Sequence, residues 1–281
     1  MADQGEEIEA VVDPHAGVGI YREVDTLQAF ADAASTIATE GRKIWFRGAR
    51  DIKHDLKPGL FRHPDKKSSS DLLELEWQLL TDYRHQAPPF VESLPQNDLE
   101  ILFLMQHYRV PTRLLDWTEN PFIALFFATE NARDEIAGSE KDAAIWMIDP
   151  IALNKKTFTN RRDADRVLGA YAGELLGMKP SPKPQDIGIN TPCALYGVHN
   201  SPRIVAQRGS FILYGHDVTS MENQNALKLG IDGDLRKIVV KGTSKRDIFA
   251  QLFNMGVSDS VVYPDLDGLS REMRNRRGFL K

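Results

Sequence analysis

Polar and charged side chains interrupt the most apolar stretch of the chain, and this feature constrains the fold more than any other. The stretch covers residues 106–128 and reads QHYRVPTRLLDWTENPFIALFFA. Burying His107, Arg113 or Asp116 costs several kcal/mol unless each side chain finds a partner. Segments that keep such groups use them in a functional site or in a structural lock, and we expect the chain to fold around this one.

The composition is that of a globular protein with one large domain or two modest ones. The chain has 281 residues, and its 42% of hydrophobic residues is enough for a core. Its 40 acidic and 35 basic residues give a net charge of -5. This balance disfavours wholesale wrapping of nucleic acid but permits a local basic groove.

Cysteine usage and apolar runs predict a cytoplasmic protein. Cys193 is the only cysteine, so we expect neither a disulfide framework nor a thiolate zinc site, and a reducing compartment fits best. The acidic N-terminus is unlike a signal peptide, and no apolar run approaches the ~18 residues of a membrane span. We therefore expect no association with a membrane.

The apolar spacing predicts helices and strands that do not alternate regularly. Helices are predicted at about 27–38, 70–84, 97–108, 122–128, 244–255 and 269–273. Strands are predicted at 43–46, 113–117, 143–148, 210–214, 237–241 and 261–263. Asp25, Asn97, Asn120 and Asp267 are the expected helix caps. The pattern favours an α+β fold, a single mixed domain with a small central sheet flanked by helices.

Composition also divides the chain. Residues 1–19 are acidic and aperiodic, which predicts a disordered leader. The folded part is expected at 20–270, and its irregular, proline-containing segment 149–200 is a candidate insertion or lid. Residues 271–281 carry five basic residues and one acid and are expected to form a basic tail.

Two motifs before residue 110 supply candidate site residues, each with a structural alternative. Arg47 follows a predicted strand and offers a planar fork of donors to a phosphate or an amide, beside Gly48, which permits close backbone approach. Alternatively, Arg47 is bound to a carboxylate such as Asp116. His107 and Tyr108 supply a general base or hydrogen-bond donors at a cleft, or else they merely end a helix.

Two further motifs point to the same kind of site. In residues 112–120 a strand, a turn and a capped helix start are typical of an anion-binding corner, where helix amides meet Arg113 and Thr118. The alternative is a buried pair of Arg113 and Asp116 that pins the strand to the core. Gln207 precedes a predicted strand and is either a wall residue of the same cleft or part of an ordinary turn.

Asp265 and Asp267 have the two-residue spacing of some divalent-metal sites. Turn and capping roles are favoured for both, because no third carboxylate follows at ligand spacing. The chain contains no Walker loop, HExxH, GxSxG or GxGxxG motif. The sequence therefore disfavours the hydrolases and the nucleotide-binding proteins that these motifs define.

Taken together, these motifs resemble the FRG domain family, named for the Phe-Arg-Gly found here at residues 46–48. The resemblance spans about residues 45–268 and includes QHY, PTRLLDWT with the apolar helix behind it, Ala206 and Gln207 with Gly209 and Phe211, and PDLDG. Two positions depart from the pattern of the family. Arg109 stands where glycine is common, and Tyr263 where phenylalanine is common.

A weaker similarity is to the NAD-binding core of ADP-ribosyltransferases, in which an Arg-Gly strand is followed by a hydroxyl-bearing strand and an apolar helix. The resemblance implies NAD as a substrate. It implies catalytic roles for Arg47, His107, Tyr108 and Gln207. It implies that Arg47, Gly48, Trp117 and Thr118 bind NAD. Arg113 and Asp116 are expected to give structural support. The late glutamate of those enzymes has no clear equivalent near Gln207, so His107 or Asp116 would take its place.

Three functions are therefore candidates. The first is an ADP-ribosyltransferase-like protein that consumes NAD, such as a bacterial toxin or phage-defence effector with a nucleic-acid or protein target and an antitoxin partner. The second is a non-catalytic module that binds nucleic acid or an anionic ligand through Arg47, Arg113 and the basic tail. The third is a metal-dependent nuclease that uses Asp265 and Asp267.

Overall fold

A computed structural model describes residues 18–133, 140–159, 162–170, 177–198, 202–230 and 233–279. The strands are β1 (Ile20–Val24), β2 (Trp45–Ala49), β3 (Leu114–Thr118), β4 (Ala143–Ile148), β5 (Leu168–Gly169), β6 (Cys193–Tyr196), β7 (Gly209–Leu213) and β8 (Leu235–Val240). The helices are α1 (Leu27–Ala38), α2 (Ser69–Gln86), α3 (Asp98–His107), α4 (Pro121–Thr129), α5 (Pro150–Thr157), α6 (Pro202–Ala206), α7 (Lys245–Asn254), α8 (Asp259–Val262) and α9 (Leu266–Arg276).

These strands form one mixed sheet of eight strands in the order β1-β8-β4-β2-β3-β7-β6-β5. β2 pairs with β4 at five positions and β3 pairs with β7 at five positions. In contrast, β2 and β3 pair at one position, Phe46 with Thr118. The sheet therefore consists of a first half (β1, β8, β4, β2) and a second half (β3, β7, β6, β5) that meet at a seam between β2 and β3.

The hydrophobic core follows this division on one face of the sheet. Phe46 packs with α1, α4 and α7 on the first half, and Leu114 and Phe211 pack with α3 on the second half. Alternation along the strands from the Phe46 and Thr118 pair places these side chains on the same face. A cleft between the two helix groups follows from this arrangement.

The opposite face carries one cluster that spans both halves, which we call the shared cluster. It includes Trp45 and Trp146 from the first half and Trp117 and Ile212 from the second. The two halves are therefore joined mainly by side-chain packing on this face, since the backbone ladder between them is short.

The α+β prediction is confirmed, and most predicted elements lie within a few residues of the observed ones. Asn97 and Asn120 cap α3 and α4 as expected. The cap of α1 is Thr26, whose side chain accepts from the amide of Ala29, and not Asp25. Likewise α9 begins earlier than predicted, with Asp265 as its cap in place of Asp267.

The predicted strand at 261–263 is wrong, because residues 259–262 form the helical turn α8. The carboxylate of Glu272 in α9 accepts hydrogen bonds from the Ser258 hydroxyl at 2.6 Å and from the Ser260 amide at 3.1 Å. These contacts hold the turn against α9, and three consecutive apolar residues cannot specify a strand against such tertiary contacts.

The boundary predictions concern three segments, 1–19, 149–200 and 271–281. Residues 1–17 of the predicted leader lie outside the described residues. Strands β5 and β6 lie within 149–200 and extend the sheet, and residues 271–276 of the predicted basic tail belong to α9. Among the described helices, none has the length and apolar character needed to cross a membrane.

Candidate functional site

A cleft of about 900 Å³ opens at the seam between the half-sheets. Its walls come from β2 and β3, the end of α3, α6, and the residues around α8 and α9. Seven of the predicted site residues line it, namely Arg47, Gly48, His107, Asp116, Trp117, Thr118 and Gln207. The cleft thus brings together side chains from distant parts of the chain.

Arginine dominates the charge of this cleft. Its walls contain three carboxylates, Asp55, Asp116 and Glu130, and seven arginines, Arg47, Arg50, Arg62, Arg109, Arg203, Arg271 and Arg274. Arg50 forms an ion pair with Glu130 at 2.7 Å. For the other six arginines, no carboxylate in the described part of the chain lies within ion-pair distance. A protein with a net charge of -5 therefore has a local cluster of arginines that form no ion pair with a carboxylate among the described residues.

Arg47 lies on β2 and reaches across the seam. Its Nη1 donates to the backbone carbonyl of Asp116 on β3. Burial lowers the pKa of Arg47, the charge of Asp116 opposes this effect, and the nearby cation of Arg62 lowers the pKa further. Because arginine keeps its charge in proteins, this is a poorly solvated cation whose energy an anionic ligand would lower.

Gly48 places β2 directly against α4. A Cβ atom at this position would lie 2.0 Å from the backbone oxygen of Ala124 and 2.7 Å from the backbone nitrogen of Ala128. No larger residue fits there without movement of the helix. Gly48 thus fixes the wall that carries Arg47.

His107 ends α3 and lies half-buried in the wall of the cleft. Burial lowers its pKa, the cation of Arg203 lowers it further, and Asp265 and Asp116 act in the opposite direction. A histidine with a lowered pKa is neutral at pH 7 and can accept a proton or a hydrogen bond.

Tyr108 does not line the cleft, although a catalytic role was predicted for it. Its side chain is 60% exposed, and its ring packs edge-on against His107 with centroids 4.8 Å apart. Tyr108 therefore contacts a wall residue from outside.

Arg113 and Asp116 do not pair, so the structural alternative considered for them is wrong. Arg113 Nε lies 2.9 Å from Glu76 of α2, and both side chains are fully buried. Asp116 instead accepts a hydrogen bond from Gln106 at 2.7 Å and faces the cleft. Residues three apart along an extended chain point to opposite faces, which explains why the two side chains do not meet.

Thr118 and Gln207 hold one edge of the cleft together. The Thr118 hydroxyl donates to the backbone carbonyl of Gln207 at 2.6 Å and accepts from the amide of Asn120 at 3.0 Å. The side-chain amide of Gln207 donates to the carbonyl of Val262 at 3.0 Å. The hydroxyl predicted to bind NAD is thus engaged by the backbone, where it supports the wall.

Comparison with known families identifies one segment of the chain. The sequence model of the FRG domain matches residues 42–136. The chain contains an FRG domain. The matched segment holds β2 and β3, so the FRG domain supplies the two strands that border the seam, with Arg47 on one and Asp116 on the other. No curated protein and no solved structure matches the chain significantly.

Other important wall residues lie outside the segment matched to the FRG domain or at its end, and sequence reasoning missed them. Glu130 follows α4 and is 8% exposed, and its carboxylate accepts from the Tyr263 hydroxyl at 2.9 Å. Burial and the charge of Glu130 raise the pKa of Tyr263, which keeps the hydroxyl protonated. Glu130 comes directly after the apolar helix α4. A charged residue next to an apolar stretch could have indicated this site, as the charged residues within 106–128 did.

Asp265 caps helix α9. Its carboxylate accepts from the amide of Gly268 at 2.7 Å at the start of α9. Within the described ranges, no group of three or more His, Cys, Asp or Glu side chains is arranged to hold a metal ion. The PDLDG motif is thus explained by helix capping and by the close contact of Gly268 with the backbone of Tyr263.

Proposed function

We propose that the cleft binds NAD and that the protein is an ADP-ribosyltransferase-like enzyme that consumes it. The observation that carries the proposal is the group of six arginines in one cleft without carboxylate partners among the described residues. A diphosphate offers paired oxygens to guanidinium groups and would offset the cost of their mutual repulsion. Arg47, partly buried at the seam, is the proposed diphosphate ligand.

The proposed reaction breaks the glycosidic bond between nicotinamide and C1′ of its ribose. Nicotinamide leaves with the electron pair, C1′ develops oxocarbenium character, and a nucleophile of the target attacks C1′ and loses its proton. Neutral His107 is the proposed acceptor of that proton. The carboxylate of Glu130 is the proposed contact for the developing positive charge, in place of the glutamate that the sequence did not reveal near Gln207.

Transfer of label from NAD tests this function directly. We expect purified protein to transfer label from adenylate-labelled NAD to a component of a cell extract and to release nicotinamide. Arg47→Gln is expected to lower the rate at least about tenfold, since a charge-assisted contact is worth roughly 1.5–3 kcal/mol. Arg84→Gln, at an exposed ion pair outside the cleft, is the matched control.

The proposal is overturned if wild-type protein neither binds NAD in calorimetry nor releases nicotinamide. It is also overturned if Arg47→Gln behaves like the control. A role as a bacterial toxin or phage-defence effector with a protective antitoxin can also be tested in cells. Expression of the wild type, but not of Arg47→Gln, would then arrest growth of the host.

A second candidate is a module that binds an anionic ligand or nucleic acid without turnover. It is favoured by Thr118, whose hydroxyl is occupied by backbone hydrogen bonds and is not available to a substrate. Salt-sensitive binding without nicotinamide release would support this candidate over the first.

A further inference from the structure

Tyr263 forms a platform for two of the cleft arginines. The guanidinium of Arg203 in α6 lies 4.9 Å from the centroid of its ring, and that of Arg271 in α9 lies 5.2 Å from it. The Tyr263 hydroxyl is fixed by Glu130, and its ring packs against Phe126 and Phe127 of α4. The platform is therefore rigid, and it restricts the positions of both cations.

Arg203 and Arg271, which we call the outer pair, contact the same aromatic ring and both line the cleft. Their distances to the same ring limit the separation of the two guanidinium carbons to about 10 Å. Neither forms an ion pair with a carboxylate in the described part of the chain. Arg203 also acts electrostatically on His107, which places it at the α3 side of the cleft. Stacking on an aromatic ring leaves the edges of a guanidinium free to donate.

We infer that Arg203 and Arg271 form a second phosphate-binding subsite of the cleft, separate from Arg47 and oriented by Tyr263. The inference rests on the proposed function only in that both require an anionic ligand in this cleft. Two sources supply the same chemistry. One is a phosphodiester of a single-stranded nucleic acid bound as the target, and the other is a further phosphate on the dinucleotide itself.

Binding measurements with three probes separate these sources. The probes are NAD, NADP, which carries an additional phosphate, and a short single-stranded oligonucleotide. We expect Arg203→Gln with Arg271→Gln to weaken binding of the oligonucleotide or of NADP about tenfold or more, and to lower its salt dependence. An effect on the oligonucleotide identifies nucleic acid, and an effect on NADP greater than that on NAD identifies the dinucleotide phosphate.

The matched control is Arg22→Gln with Arg84→Gln, which removes the same charge at two exposed residues that lie neither in the cleft wall nor in the basic tail. The inference is overturned if the outer-pair variant and this control bind all three probes equally. Failure of the proposed function gives a different result. NAD then does not bind, while oligonucleotide binding still depends on the outer pair.

The positioning role of Tyr263 has its own test. Tyr263→Phe keeps the ring and is expected to bind the phosphate probe within about threefold of the wild type, whereas Tyr263→Leu is expected to weaken binding as much as loss of the outer pair. In the background of the outer-pair variant, Tyr263→Leu should have no further effect on binding. Additive losses would assign Tyr263 a structural role and overturn its positioning role, and thermal unfolding shows whether each variant is folded.

Discussion

The three residues of the Phe-Arg-Gly motif have three different roles at the seam. Phe46 belongs to the core of the first half-sheet, Arg47 extends toward β3, and Gly48 lets β2 contact α4. The sequence indicated that Arg47 is a donor and that its neighbour permits close approach. It could not indicate that the approaching group is the backbone of α4, because that contact joins residues that are far apart in the chain.

Substitution of Gly48 tests this contact. We expect Gly48→Ala to lower the free energy of unfolding by about 2 kcal/mol or more, because the new methyl group overlaps the Ala124 carbonyl. Denaturant midpoints at constant slope measure the change. Gly19→Ala, where a Cβ meets nothing within 4 Å, is expected to change stability by no more than about 0.5 kcal/mol. Equal effects of the two substitutions would contradict the assignment.

Arg113 and Asp116 show what a single sequence leaves undetermined about charged residues. Arg113 is fully buried and does need a partner, as expected, whereas Asp116 is exposed to the cleft. Their partners, Glu76 and Gln106, lie on α2 and α3. A sequence shows that a buried charge requires compensation, but the choice among many carboxylates depends on how the helices pack.

At the scale of elements, α9 is attached to the turn before it through one carboxylate. Glu272 accepts hydrogen bonds from Ser258 and Ser260, and these bonds lower its pKa to about 2. α9 also carries Arg271 and Arg274 into the cleft wall. The geometry of the outer pair therefore depends on this attachment.

Acid should weaken this attachment. Because the pKa of Glu272 in the folded protein lies below its ordinary value of 4.5, ionised Glu272 stabilises the native state above pH 4.5, and this contribution is lost as the pH falls toward 2. We expect Glu272→Gln to lower the free energy of unfolding by roughly 3 kcal/mol at neutral pH. Between pH 4.5 and pH 2, the stability of this variant should fall less than that of the wild type. Denaturation at several pH values, with hydrogen exchange of α8 and α9, measures both effects. Glu74→Gln, at an exposed residue, is the control. The prediction is contradicted if Glu272→Gln loses as much stability at acid pH as the wild type does.

The helices and strands with long periodic apolar patterns were predictable from the sequence. Short elements whose conformation depends on contacts with other elements were not. The apolar spacing identified α1, α2 and β4 because each buries one face or both. The turn α8 was mistaken for a strand because its conformation is set by Glu272, which lies in the following helix, 12 to 14 residues from the serines that it binds. The cap of α9 was placed two residues late because Asp265 and Asp267 are both suitable caps.

At the scale of the whole molecule, the seam is the feature that positions the site. One backbone pair, Phe46 with Thr118, links the half-sheets, and the Thr118 hydroxyl extends that link to the carbonyl of Gln207. The convergence of Arg47, His107 and Gln207 on one cleft depends on this arrangement. No local sequence pattern encodes it, since it follows from the strand order.

Removal of the Thr118 hydroxyl should loosen the edge of the cleft that Thr118 and Gln207 form. We expect Thr118→Val to cost about 1–3 kcal/mol, because the Gln207 carbonyl and the Asn120 amide lose their partner, and to accelerate amide exchange at the end of β3 and the start of β7. Denaturation and hydrogen exchange measure these changes. Thr36→Val, at an exposed helical threonine that donates to the backbone carbonyl of Asp32, should have little effect. Unchanged exchange in these two segments would show that the hydroxyl does not hold this edge of the cleft.

If the two half-sheets move relative to each other, we expect the shared cluster to be the axis of that motion. Each half-sheet has its own core on one face, while the packing around Trp117 and Trp146 crosses the seam on the other. Rotation of one half against the other about this packing would change the spacing between α4 and α3 most, and the spacing near the packed face least. Substitutions in the two separate cores can therefore alter the width of the opening and the size of the ligand admitted, while the bottom of the cleft keeps its dimensions.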